Sequence, residues 1–173
     1  KPVFIVGLAR SGTTALLTSL YATGQFRSLT YKDMPFVMMP SVWKKLSGPK
    51  ILDGEKTERA HGDGILVNAE SPEAFEEIFW RSFCRDSYIH DKCLTPHRID
   101  KDTLEKFRLF VSSAVNSADD PRQTRYLSKN NNNLLRLPAI TKAFPDAVII
   151  VPFRDPVQQS LSLMNQHQRF CQR

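Results

Sequence analysis

The sequence predicts an α/β fold, a central parallel sheet flanked by helices in three layers, and three observations carry that prediction. A short, apolar, β-branched run, Val3-Phe4-Ile5-Val6, leads at once into a glycine-containing turn, as a buried parallel strand does. A second strongly apolar run spans 147–153 and is followed by Asp155-Pro156, a helix-start pair. Strand-then-helix units at both ends of the chain imply parallel strands joined by right-handed crossovers.

The elements follow in order. Ala15, Leu16, Leu17, Leu20 and Tyr21 recur at helical spacing over 13–23, and Gly24 supplies a C-terminal stop. Residues 28–47 mix aromatics, methionines and prolines and read as a loop followed by a short helix, while 48–68, rich in Gly and charge, reads as irregular or as a hairpin. Ser71-Pro72-Glu73 has the form of an N-cap, a proline at the first helical position and an acidic first turn, with Phe75, Ile78, Phe79 and Phe83 on one face. Asp102-Thr103-Leu104-Glu105 resembles a capping box, and Leu104, Phe107, Phe110, Val111 and Val115 continue a second helix that stops before Asp119-Asp120-Pro121. Tyr126-Leu127-Ser128 is a short strand, and 133–144 a helix with Leu134, Leu137, Ile140 and Phe144 on one side. The aromatics Phe36, Trp43, Phe79 and Trp80 read as core.

At 173 residues, with 41% hydrophobic and 24% charged content, the chain fits one globular domain over 1–173. It opens without Met inside a strand and stops inside a helical pattern, which reads as a piece of a longer chain. No run reaches the roughly 18 apolar residues of a membrane span. The three cysteines, Cys84, Cys93 and Cys171, have neither C-x-x-C nor Cys/His metal spacing; no metal is expected, and a soluble, cytoplasmic protein is the simplest reading. A net charge of +6 from scattered Lys and Arg suits a small polyanionic ligand, with no tract built for nucleic acid. Nothing in the sequence sets the oligomeric state.

Between the first strand and helix lies Gly7-Leu8-Ala9-Arg10-Ser11-Gly12-Thr13-Thr14. Its spacing is that of a P-loop-like phosphate cradle, in which backbone N–H groups and a helix N-terminus converge on an anion. It departs from the triphosphate pattern G-x-x-x-x-G-K-[ST]: Thr13 stands where the lysine reaches the β- and γ-phosphates, and the cation sits earlier, at Arg10. A small-molecule or nucleoside kinase is therefore the second reading, and a non-catalytic nucleotide-binding module the third.

The run Phe4-Ile5-Val6-Gly7-Leu8-Ala9-Arg10-Ser11-Gly12-Thr13-Thr14 resembles the 5′-phosphosulfate loop of sulfotransferases that use 3′-phosphoadenosine 5′-phosphosulfate (PAPS), in a non-cytosolic, bacterial-type branch. That resemblance implies a PAPS co-substrate, with Arg10 at the bridging oxygen and sulfuryl group and Ser11, Gly12, Thr13 and Thr14 at the 5′-phosphate. Downstream, a strand ending in Arg154-Asp155-Pro156, with Ser162 on the next helix, resembles the family's 3′-phosphate site. Arg154 can clamp the anion bidentately while Ser162 reaches it from the side. By the same resemblance Lys129, at a strand end, would stabilise charge on the sulfuryl oxygens.

The base that takes the acceptor's proton is the least determined residue. In the cytosolic branch it is a His two residues after the strand-end Lys; here that position is Asn131, so the aryl and steroid substrates of that branch do not carry over. Branches that use an acid place it after the first helix. The candidates are Asp33 first, then His61 or Asp63, then Glu70 or Glu73. The acceptor implied is a hydroxyl or amine, with a carbohydrate or glycolipid preferred.

Overall fold

The computed structural model describes residues 1–47, 57–58 and 66–172. Its elements are β1 Val3–Ile5, α1 Thr13–Tyr21, β2 Phe26–Arg27, a 3-10 turn Tyr31–Asp33, α2 Pro40–Ser47, β3 Thr57–Glu58, β4 Leu66–Val67, α3 Glu76–Tyr88, α4 Lys101–Asn116, β5 Arg125–Lys129, a 3-10 stretch Asn131–Arg136, α5 Leu137–Ala143, β6 Val148–Ile150 and α6 Pro156–Cys171. The central sheet has the order β2-β5-β1-β6, with every pairing parallel. A separate antiparallel pair, β3 and β4, matches Thr57 to Val67. The rest of the expected 48–68 hairpin lies outside the described residues.

Alternation along the strands divides the core between the two faces of the sheet. Val3, Ile5 and Leu127 pack with Leu17 of α1 on one face. Phe4 and Tyr126 face the other way, into a cluster with Phe79 and Trp80 of α3, Phe107 and Ala114 of α4 and Ile140 of α5. Phe107 stands at its centre, 4.4 Å from the Trp80 ring and 5.3 Å from Phe79. Each such fully buried aromatic contributes on the order of 1.5–3 kcal/mol by burial. The expected three-layer α/β architecture is thus present, with helices on both sides of a parallel sheet.

Several boundaries differ from the expectation, each for a visible reason. Helix α3 begins at Glu76, not beside Ser71. The Ser71 hydroxyl instead accepts from Asn68 N–H at 2.9 Å, Pro72 bridges Thr30, and Glu73 N–H donates to the Leu29 carbonyl at 3.2 Å. Residues 71–75 are therefore drawn alongside 29–30 before the helix starts. Helix α4 is capped by Asp100, which accepts from Thr103 N–H at 2.7 Å, whereas Asp102 pairs with Lys106 on the surface. The expected 133–144 helix is split: Asn130 caps a 3-10 stretch by accepting from Asn132 N–H at 3.0 Å, and α5 begins only at Leu137. Phe36 is half exposed against Trp43 and not core.

Helix α6 docks with its polar side inward. Gln159, Ser162 and Gln166, at i, i+3 and i+7, are its half-buried residues, while Val157, Leu161 and Met164 face outward. Among the described residues no helix is long and apolar enough to cross a membrane, and no group of three or more His, Cys, Asp or Glu could hold a metal ion.

Candidate active site

The register levels the carboxyl ends of three strands, because Ile5 pairs with both Lys129 and Ile150. Everything leaving those ends meets at one edge of the sheet, where ligands bind in open parallel sheets. A cleft of about 570 Å³ lies there, walled by the loop after β1, by 129–132 after β5, by Arg154 and Gln166 after β6, and by Tyr31, 73–75 and Glu77 from the other side.

The loop's shape follows from two backbone positions. Gly12, at φ 91°, caps α1 in the left-handed region, where a side chain is costly. At Gly7 a Cβ would meet Ser11 Oγ and Thr13 Cγ2 at 3.0 Å and Pro152 at 3.1 Å, so only glycine lets the loop close against the strand after β6. Arg10 also has positive φ, 68°, a conformation costing about 1–2 kcal/mol in a residue with a Cβ. Its surroundings hold it there. Arg10 Nε donates to Ser162 Oγ at 2.9 Å, Arg154 Nη1 donates to the Arg10 carbonyl at 3.2 Å, and Gln159 Nε2 donates to the Ala9 carbonyl at 2.8 Å.

Among the loop hydroxyls, Ser11 donates to the Leu8 carbonyl at 2.7 Å and is buried, and Thr13 is buried against Gly7. These two side chains shape the loop. The first N–H groups of α1 have no intrahelical acceptor and the helix dipole lies behind them, so this end of the helix is electrostatically favourable to an anion.

Of the expected site residues, Arg10, Gly12, Thr13, Thr14, Lys129 and Arg154 line the cleft, and Ser11 and Ser162 brace it. Ser160 instead turns back on its own helix, to the Pro156 carbonyl. Asp33 is not brought to the cleft. Its carboxylate is buried, paired with Arg27 Nη2 at 2.5 Å, and accepts from Thr30 N–H at 2.7 Å. Glu70 pairs with Lys32 on the surface. His61 and Asp63 lie outside the described residues.

The carboxylate the structure does bring into the cleft beside a cleft cation is that of Glu73, with Oε1 3.8 Å from Lys129 Nζ. Next to it Glu77 accepts from Tyr88 Oη at 2.5 Å, Asn130 Nδ2 at 2.6 Å, Asn132 Nδ2 at 3.0 Å and Arg136 Nη1 at 3.1 Å. Burial pushes the Glu77 carboxyl up, but Arg136 and the hydrogen-bond donors outweigh it and hold the group below the usual carboxylate value. Arg136 is fully buried between the rings of Trp80 and Tyr88, at 4.8 and 4.7 Å. The sequence reading missed Glu77, Gln159 and Gln166. For the two glutamines the signal was available, in their i, i+3, i+7 spacing with Ser162; for Glu77 none was, because its partners other than Tyr88 lie beyond its own helix, at 130–136.

The family model described as "Sulfotransferase family" matches residues 2–172. No curated protein matches the sequence. Among solved structures, sulfotransferase STF9 from Mycobacterium avium is similar in fold, with a TM-score of 0.60 and 20% identity over 95% of this chain and 45% of that one. Sulfotransferase STF1 from Mycobacterium tuberculosis H37Rv aligns at a TM-score of 0.44 and 17% identity over 89% of this chain and 45% of that one. The chain thus spans less than half the length of these two proteins. With a glycine-bearing loop at the head of a parallel sheet and a family match over nearly every residue, the chain belongs to the sulfotransferase family.

Proposed function

We propose that the chain transfers the sulfuryl group of PAPS to a hydroxyl or amine of a small acceptor, with a carbohydrate or glycolipid preferred. The observation that carries this reading is the convergence of Arg10, Lys129 and Arg154 on one cleft that also contains the α1 N-terminus and the Glu73 carboxylate. In this reading the N–H groups of 12–15 bind the 5′-phosphate, Arg154 and Ser162 bind the 3′-phosphate, and Arg10 and Lys129 face the sulfuryl oxygens. The sulfuryl S–O bond to the 5′-phosphate breaks as the acceptor oxygen forms a bond to sulfur in line. Glu73 takes the acceptor's proton, and the bisphosphate leaves with the bridging oxygen. Arg10 and Lys129 stabilise negative charge on the bridging oxygen and the sulfuryl oxygens, while Arg154 holds the donor through its 3′-phosphate.

Thr13 supports this reading over ATP chemistry. It is buried against Gly7 where a triphosphate site needs a lysine. Calorimetry tests the proposal: adenosine 3′,5′-bisphosphate should bind without magnesium, and Arg10→Ala or Arg154→Ala should weaken it about tenfold or more, the worth of a charge-assisted hydrogen bond. Magnesium-dependent ATP binding with no bisphosphate affinity would sink it.

A further inference from the structure

The four consecutive asparagines Asn130–Asn133 follow the strand end that carries Lys129. Three of them are held from behind by adjacent acids at the start of α3. Glu77 accepts from Asn130 and Asn132, and Glu76 accepts from Asn133 Nδ2 at 2.9 Å. The holders are themselves fixed. Glu76 also accepts from Trp80 Nε1 at 2.9 Å and Tyr126 Oη at 3.2 Å, and Glu77 is paired with buried Arg136. The fourth, Asn131, lines the cleft beside Lys129. Its Oδ1 is shielded from water and has no hydrogen-bond partner among the described residues. Asn133 Oδ1 is also unpartnered, but Asn133 is fully buried and does not line the cleft.

A shielded polar atom without a partner is disfavoured unless something else satisfies it. Here the clamped neighbours leave the Asn131 backbone little freedom to turn the amide out to solvent. We propose that Asn131 is an acceptor-binding residue: its side-chain amide receives a hydroxyl of the acceptor and orients it between the Glu73 carboxylate and the sulfuryl group. An amide does not titrate, so Asn131 holds the hydroxyl while Glu73 takes its proton. It both accepts and donates, which suits a polyhydroxylated acceptor whose neighbouring hydroxyls can meet both ends. The assignment rests on the sulfotransferase reading for the identity of the reacting group, and on the cleft geometry alone for the presence of a hydroxyl-binding amide.

Two probes test it, methyl β-D-glucopyranoside and phenol, added to isotope-labelled protein saturated with adenosine 3′,5′-bisphosphate. The Asn131 side-chain amide resonance, identified by its absence in Asn131→Leu, should shift with at least one probe. In Asn131→Leu the dissociation constant of that probe should rise about tenfold, with bisphosphate affinity within about twofold of wild type. An amide that stays still with both probes overturns the assignment. So does a parallel loss of bisphosphate affinity in the variant, which would make Asn131 a donor-site or structural residue. Wild-type protein that binds no bisphosphate counts against the sulfotransferase reading instead, and the same titration without nucleotide still decides the role of Asn131.

Discussion

Replacing Asp33 by Asn leaves the Arg27 guanidinium buried without its carboxylate. Breaking a buried pair from one side costs about 3–5 kcal/mol, so Asp33→Asn should lower the urea midpoint strongly while the folded protein keeps its bisphosphate affinity. A variant that stays stable and loses only sulfate transfer would restore Asp33 as the general base. Asp33 shows why an acid's role is hard to read from sequence. Its distance from the loop along the chain fits a base, but its neighbours in space, Arg27 and Thr30, make it a capping and pairing group. Glu73 reaches the cleft only because residues 71–75 lie along 29–30 before turning into helix, a tertiary arrangement that no local helix-start pattern encodes.

Among the elements, α4 and α3 give contrasting tests. The Asp100 carboxylate caps α4, so Asp100→Ala should destabilise the protein, while Asp102→Ala, removing an exposed surface pair with Lys106, should change stability less. Thermal unfolding of both variants checks the order, and equal losses would refute the cap. At the start of α3, Glu77 links stability to pH. Its folded pKa lies below the unfolded value of about 4.3, so its contribution is fully present above that value and is lost as pH falls through the lower folded one. Glu77→Gln should therefore be less stable at neutral pH and show a flatter loss of stability from about pH 5 downward, followed by urea midpoints across that range. An unchanged acid limb would mean that the pairing with Arg136 contributes little.

For the whole molecule, what local pattern can report was legible. The strand before Gly7, the helix after it, and the Asp155-Pro156 start of α6 appear as expected, since each is set by residues within one turn of one another. The orientation of α6 was legible only through Ser162: the spacing of Val157, Leu161 and Met164 would turn the apolar side inward, yet the side that docks is the polar one, because the surface it meets is the carbonyl-rich loop at 9–10. The pairing of Glu77 with the asparagine run was out of reach, as the two lie on separate elements.

The contact between Arg10 and Ser162 joins positions 152 apart in the sequence, and those from Gln159 to Ala9 and from Arg154 to Arg10 join positions 150 and 144 apart. Such a cleft has no local version. It forms only after the longest loop closures of the chain have been made, which places it among the slow, high-contact-order steps of folding. On the proposed function, a ligand that fills the cleft stabilises the whole fold: bisphosphate at a hundred times its dissociation constant should add about 2.7 kcal/mol to the unfolding free energy, protecting amides in β1 and in α6 alike. Hydrogen exchange that slowed at one end of the chain and not the other would contradict this coupling.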